Sequence, residues 1–96
     1  MDLFYTYIAY FNDDTFQSVG VTTDLNRRFK LLKQIRNKKG KNCCKLVYYE
    51  EFKSSVDAIN CENKLNELSE KSRKQLVENT NPMFVNLLDN LHEFEQ

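Results

Sequence analysis

The run Phe4-Tyr5-Thr6-Tyr7-Ile8-Ala9-Tyr10-Phe11 constrains this chain more than any other stretch. It carries no charge, and large apolar or aromatic side chains occupy both its odd and its even positions. Successive side chains of a strand point to opposite faces, so this pattern reads as a strand buried on both sides. Asn12-Asp13-Asp14 supplies turn chemistry, and Thr15 to Thr22 resumes with Phe16, Val19 and Val21 as the second arm of a hairpin.

The period then changes. Thr23 or Asp24 is a good helix cap, and Leu25, Phe29, Leu32 and Ile35 or Arg36 recur at three- and four-residue intervals, the stripe of an amphipathic helix. Residues 37–42 form a polar loop. Cys44 to Phe52 is a third strand, with Tyr48 and Tyr49 placing one ring on each face. Ser54 or Ser55 caps a second helix with Asp57 in its first turn and an apolar face of Val56, Ile59, Leu65 and Leu68. Ser69 caps a further helix through Leu76 and Val77, broken at Asn79-Thr80-Asn81-Pro82. Met83 to Phe94, with Phe84, Leu87, Leu88, Leu91 and Phe94, reads as a last short helix. The expected fold is α+β, order ββαβαα: a small three-stranded, mainly antiparallel sheet flanked by helices in a single domain spanning residues 1–96.

Composition narrows the function classes. A hydrophobic content of 41% marks a folded chain, and there is no apolar run near 18 residues, so no membrane partner is expected. The N-terminus lacks the basic start and apolar stretch of a signal peptide. Cys43, Cys44 and Cys61 suggest no disulfide framework, and a reducing, cytoplasmic setting fits them. They have no second pair at ligand spacing, and His92 is the only histidine, so a zinc site is not expected.

Formal charge sums to zero, but unevenly. Residues 1–24 carry four acids and no Lys or Arg (−4), residues 25–49 nine bases and no acid (+9), and residues 50–96 ten acids and five bases (−5). The central segment is the kind of footprint that meets a phosphate backbone, or else a solvated helix face followed by a lysine-rich loop. Its candidate nucleic-acid-binding residues are Arg27, Lys30, Lys33, Lys38, Lys39 and Lys41. At its head, Gly20 ends the second strand and Arg28 stands one or two turns into the helix that follows. A glycine there permits close approach, and an arginine offers a fork of donors suited to phosphate.

Set in order, these pieces resemble the GIY-YIG nuclease superfamily, especially its short stand-alone members, over about Phe4 to Leu88. Tyr5-Thr6-Tyr7 stands for the first signature tripeptide and Ser18-Val19-Gly20 for the second. Val21 to Arg28 resembles the segment bearing the family's arginine, Lys45 to Phe52 its third strand, Ala58-Ile59-Asn60-Cys61-Glu62 the helix with its metal-binding glutamate, and Asn81-Pro82 its closing motif. The resemblance implies a DNA endonuclease using one Mg²⁺ or Mn²⁺. Glu62 would be the metal ligand, Arg28 would clamp the scissile phosphate, and Tyr7 would orient or help deprotonate the attacking water. Ser18, Gly20 and Asn81 would shape the site.

The chain also departs from the pattern. Ser18 replaces the second signature tyrosine, and a serine hydroxyl is a poor proton acceptor. Leu32 stands where His or Tyr is usual, Asn66 where Lys is frequent, and Asn86 where Asp is common. Two further readings stand beside the nuclease: a catalytically silent nucleic-acid-binding module, and a protein-interaction domain, for instance a homodimer through the apolar tail from Phe84 to Phe94. With no appended domain in the reading, specificity would come from a targeting partner or from substrate structure. A structural Arg28–Glu62 ion pair without metal is the bland alternative for those two residues.

Overall fold

The computed structural model describes residues 2–11, 16–37 and 44–88. Strands β1 (Phe4–Phe11), β2 (Phe16–Thr22) and β3 (Cys44–Phe52) form one antiparallel sheet in the order β2-β1-β3. The doubly apolar run is therefore the central strand. Helix α1 (Leu25–Asn37) follows β2, while α2 (Ser55–Glu67) and α3 (Glu70–Thr80) follow β3.

The sheet separates two apolar layers. Tyr7, Ala9 and Phe11 of β1 face α1 and pack with Leu25, Phe29, Leu46 and Leu88. Ile8 and Tyr10 face the other way and pack with Val47, Leu65 of α2 and Val77 of α3. On that second face the buried Thr6 hydroxyl donates to the Ala58 carbonyl at 2.7 Å, tying α2 to the central strand. Tyr49 pairs with Tyr7 and packs in the first layer, whereas Tyr48 pairs with Ile8 and packs in the second, one ring per face.

The register of β1 against β3 shifts between Ile8 and Ala9: Ile8 pairs with Tyr48, but Ala9 pairs with Leu46. Val47 is the extra residue of this bulge. The segment after α3 takes up the polar groups around it. Asn81 Nδ2 donates to the Val47 carbonyl at 3.1 Å, Asn86 Oδ1 accepts from Leu46 N at 3.1 Å, and Leu87 N donates to Leu46 O at 2.8 Å. That edge of the sheet is thus covered rather than left open.

Asp24 caps α1, Ser54 caps α2 through Val56 and Asp57, and Ser69 caps α3 through Ser72. Two expectations fail. Of the apolar face expected for α2 only Leu65 is buried: Val56, Ile59 and Leu68 are exposed, and Ala58 is buried with Cys61 packed against the same layer. Small and sulfur side chains allow α2 to lie close on the sheet, and they escape a search for large apolar residues. No helix begins at Met83: residues 82–83 form a turn and 84–86 are irregular. Asn81 stops α3 by closing on Val77 O, Val85 and Val47, and Phe84 adopts a left-handed φ of 51°. Positions 89–94 of that expected helix lie outside the described residues.

Candidate active site

Gly20 and Tyr7 are cross-strand partners, so they share the sheet face that meets α1. The Tyr7 ring lies directly over the glycine. A Cβ built on Gly20 would sit 2.5 Å from Tyr7 Oη and 2.7 Å from Cζ. What the glycine admits is therefore neither a ligand nor a distant backbone but the phenol of the first signature. Tyr7 is 2% exposed and its ring meets Phe29 edge to face at 5.2 Å. Its hydroxyl accepts a hydrogen bond from Arg28 Nε at 3.1 Å. Three residues far apart in the chain thus form one unit, in which glycine seats the ring and the ring holds the arginine.

Local sequence places the arginine. Thr22 Oγ1 accepts from Asp24 N at 3.1 Å, and Asp24 Oδ1 accepts from Arg27 N at 3.1 Å, which starts the helix at Leu25. Arg27 and Arg28 then line an open depression of about 270 Å³ with Thr22, Thr23, Asp24 and Leu31. Ser18 pairs with Ala9, so it belongs to the same face as Gly20 and Tyr7. Leu32 packs against the adjoining core cluster rather than lining the depression.

Glu62 is half-buried on α2, one turn beyond Ala58, in the layer that covers the opposite face of the sheet. It does not line the Arg27–Arg28 depression. Arg28 turns its Nε to Tyr7 and not to Glu62, so the structure gives the bland ion-pair alternative no support. Asn81 is 5% exposed and spends its amide on Val47 and Val85, bracing β3 and the turn after α3. Of the basic residues, Arg27 and Lys30 are exposed on α1. Lys33 belongs to the same helix, and Lys38, Lys39 and Lys41 lie outside the described residues, as does His92. The expected apolar tail spends Phe84 against Tyr10 at 5.4 Å and buries Leu88 in the first layer, so neither is left for a partner. Leu91 and Phe94 are outside the described residues.

A family model, the GIY-YIG catalytic domain, matches residues 3–75. This chain belongs to the GIY-YIG family. The solution NMR structure of the UPF0213 protein BH0048 from Bacillus halodurans is similar to it: 29% identity over 88% of this chain and 92% of that one, with a TM-score of 0.58. A search of curated proteins gave no match.

In this GIY-YIG domain several polar residues matter that the sequence did not single out. Arg73 donates from Nη1 to the Leu65 and Leu68 carbonyls, at 2.9 and 2.8 Å, satisfying the end of α2 where a cation is favoured. Its Nε donates to Gln17 Oε1 at 2.8 Å, and Gln17 Nε2 donates to Tyr10 Oη at 3.0 Å. Nothing local in the sequence marks this chain, since its members are 56 residues apart. On the α2 side, Cys61 Sγ donates to Glu50 Oε2 at 3.1 Å. Burial, then Glu50, pushes the Cys61 thiol up to about 11, and the same causes push Tyr48 to about 12. Burial, then Glu51, also raises Tyr5, which keeps it a neutral phenol beside the site. No helix among the described residues is long and apolar enough to cross a membrane.

Proposed function

We propose that this GIY-YIG domain is an endonuclease that hydrolyses a DNA phosphodiester, with slow turnover because Ser18 replaces a tyrosine. The observation that carries the reading is the Arg28–Tyr7 hydrogen bond seated on Gly20. Arg28 spends Nε on Tyr7, which leaves its two terminal nitrogens to grip phosphoryl oxygens. Tyr7 accepts from the arginine, so its own O–H remains a donor that would orient a water beside Arg28. Arg27, Lys30 and the lysines that follow would track the flanking backbone.

The family implies one Mg²⁺ or Mn²⁺, and Glu62 is the candidate ligand for it. Among the described residues there is no group of three His, Cys, Asp or Glu side chains, and a single carboxylate completed by water is a usual way to hold Mg²⁺. Glu62 would hold the ion, which when bound supplies charge neutralisation at the phosphate and the leaving oxygen. A cytoplasmic setting accords with the free thiol of Cys61.

A binding module without turnover is the second reading, and Ser18 is the observation that favours it. Nicking of supercoiled plasmid by purified protein separates the two. The nuclease needs Mg²⁺ or Mn²⁺ and loses cutting in Glu62→Ala. Cutting that persists in Glu62→Ala refutes the assignment. Affinity that weakens with salt, without any cutting, selects the binding module.

A further inference from the structure

Asp24 is an acid in a depression whose other charged lining residues are Arg27 and Arg28. Its bonds all serve the start of α1. Oδ1 accepts from Arg27 N at 3.1 Å, its carbonyl accepts from Arg28 N at 3.0 Å, and its N–H donates to Thr22 Oγ1 at 3.1 Å. Arg28 therefore closes the first helical turn onto the capping residue itself, and from that turn its side chain reaches Tyr7 at 3.1 Å. We infer that Asp24 is a positioning residue with two opposed effects: its cap sets the phase of α1 so that Arg28 meets Tyr7, while its charge weakens the attraction of the same depression for phosphate. This rests on the reading of the Arg27–Arg28 depression as a nucleic-acid contact.

The two effects can be separated because capping does not need a charge. Asn and Ser cap a helix about as well as Asp, whereas Ala does not. Asp24→Asn keeps the cap and removes one negative charge beside the two arginines. Such a charge, several ångströms from the ligand near a protein surface, changes affinity by about three- to tenfold. The gain shrinks as salt rises. Asp24→Ala removes charge and cap together, so the first turn loosens and Arg28 loses its fixed approach.

The experiment is fluorescence anisotropy with a short labelled DNA duplex at low salt, with thermal melting of each variant alongside. The expected order of affinity is Asp24→Asn, then wild type, then Asp24→Ala, with Asp24→Ser tightening as Asn does. Equal tightening by Asn and Ala leaves charge alone and overturns the positioning role. An Asn variant no tighter than wild type overturns the electrostatic half. Should Asp24→Ala fail to fold, Asn and Ser must still both tighten, and a split between them refutes the inference. Absence of any binding by wild type overturns both this inference and the functional reading beneath it, whereas binding with an unaltered order overturns only the inference.

Discussion

Gly20→Ala isolates the contact on which the site is built. The added Cβ would lie 2.5 Å from Tyr7 Oη, 2.7 Å from Cζ and 3.0 Å from Cε2. Atoms in ordinary contact keep roughly 3.5 Å, so the ring must move by about 1 Å. Tyr7 is 2% exposed and wedged against Phe29 at 5.2 Å, so it has little room to give. Overpacking of this kind costs about 1–3 kcal/mol. Replacing glycine stiffens the unfolded chain and returns about 0.4–1 kcal/mol, leaving a net loss of about 1–2 kcal/mol. For a domain of this size that is a fall in Tm of about 4–8 °C per kcal/mol. The assay is thermal or urea unfolding of wild type, Gly20→Ala, Tyr7→Leu and the double variant. All three close atoms belong to the Tyr7 ring, so in the Tyr7→Leu background the alanine should be neutral or mildly stabilising. The cycle should show coupling of about 1–2 kcal/mol. A Gly20→Ala protein that melts at or above wild type would mean that the Tyr7 ring does not fill the space over residue 20.

Other consequences are equally specific. Asn81→Ala removes two donations and one acceptance and leaves the bulged Val47 carbonyl without its amide, so the urea midpoint should fall by an equivalent of about 2–4 kcal/mol. Asn81→Asp should not rescue it, since a carboxylate can accept from Val85 N but cannot donate to Val47 O. With its folded pKa raised to about 11 from 9.0, Cys61 should alkylate slowly at neutral pH. Because the raised value belongs to the folded state, its contribution to stability is whole below about pH 9 and is lost as pH climbs toward 11, which unfolding curves across that window will show. Rapid labelling of Cys61 at pH 7 in folded protein would contradict this.

Most of the fold was legible because period and caps agree with tertiary structure. The uncharged aromatic run of β1 announced a strand buried on both faces, and Thr23 or Asp24, Ser54 or Ser55, and Ser69 announced three helix starts, of which the structure selects Asp24, Ser54 and Ser69. The unread parts depend on distant partners. The buried face of α2 is made by Ala58, Cys61 and Leu65, and only the Thr6–Ala58 bond shows why small residues are needed there. The expected last helix over Met83 to Phe94 ignored Asn81 and Asn86, whose amides are drawn to the open edge at Leu46 and Val47. Asn86 looked like a departure from the family pattern, and it is a brace. For the site, Gly20 and Arg28 stood out in the residues and Tyr7 through the family resemblance, and the structure joins those three. Glu62 stands on α2 and is not among the residues lining the Arg27–Arg28 depression, which linear spacing does not reveal.

Ser18→Tyr puts back the tyrosine that the second signature lacks. If the phosphate-holding unit of Tyr7, Gly20 and Arg28 is intact and only the water-activating group at position 18 has been replaced, Ser18→Tyr should raise metal-dependent cutting of DNA by about a hundredfold or more, with binding nearly unchanged. Glu62→Ala in the same background should remove the gain. A folded Ser18→Tyr protein that binds DNA as wild type does and cuts no faster would contradict the account.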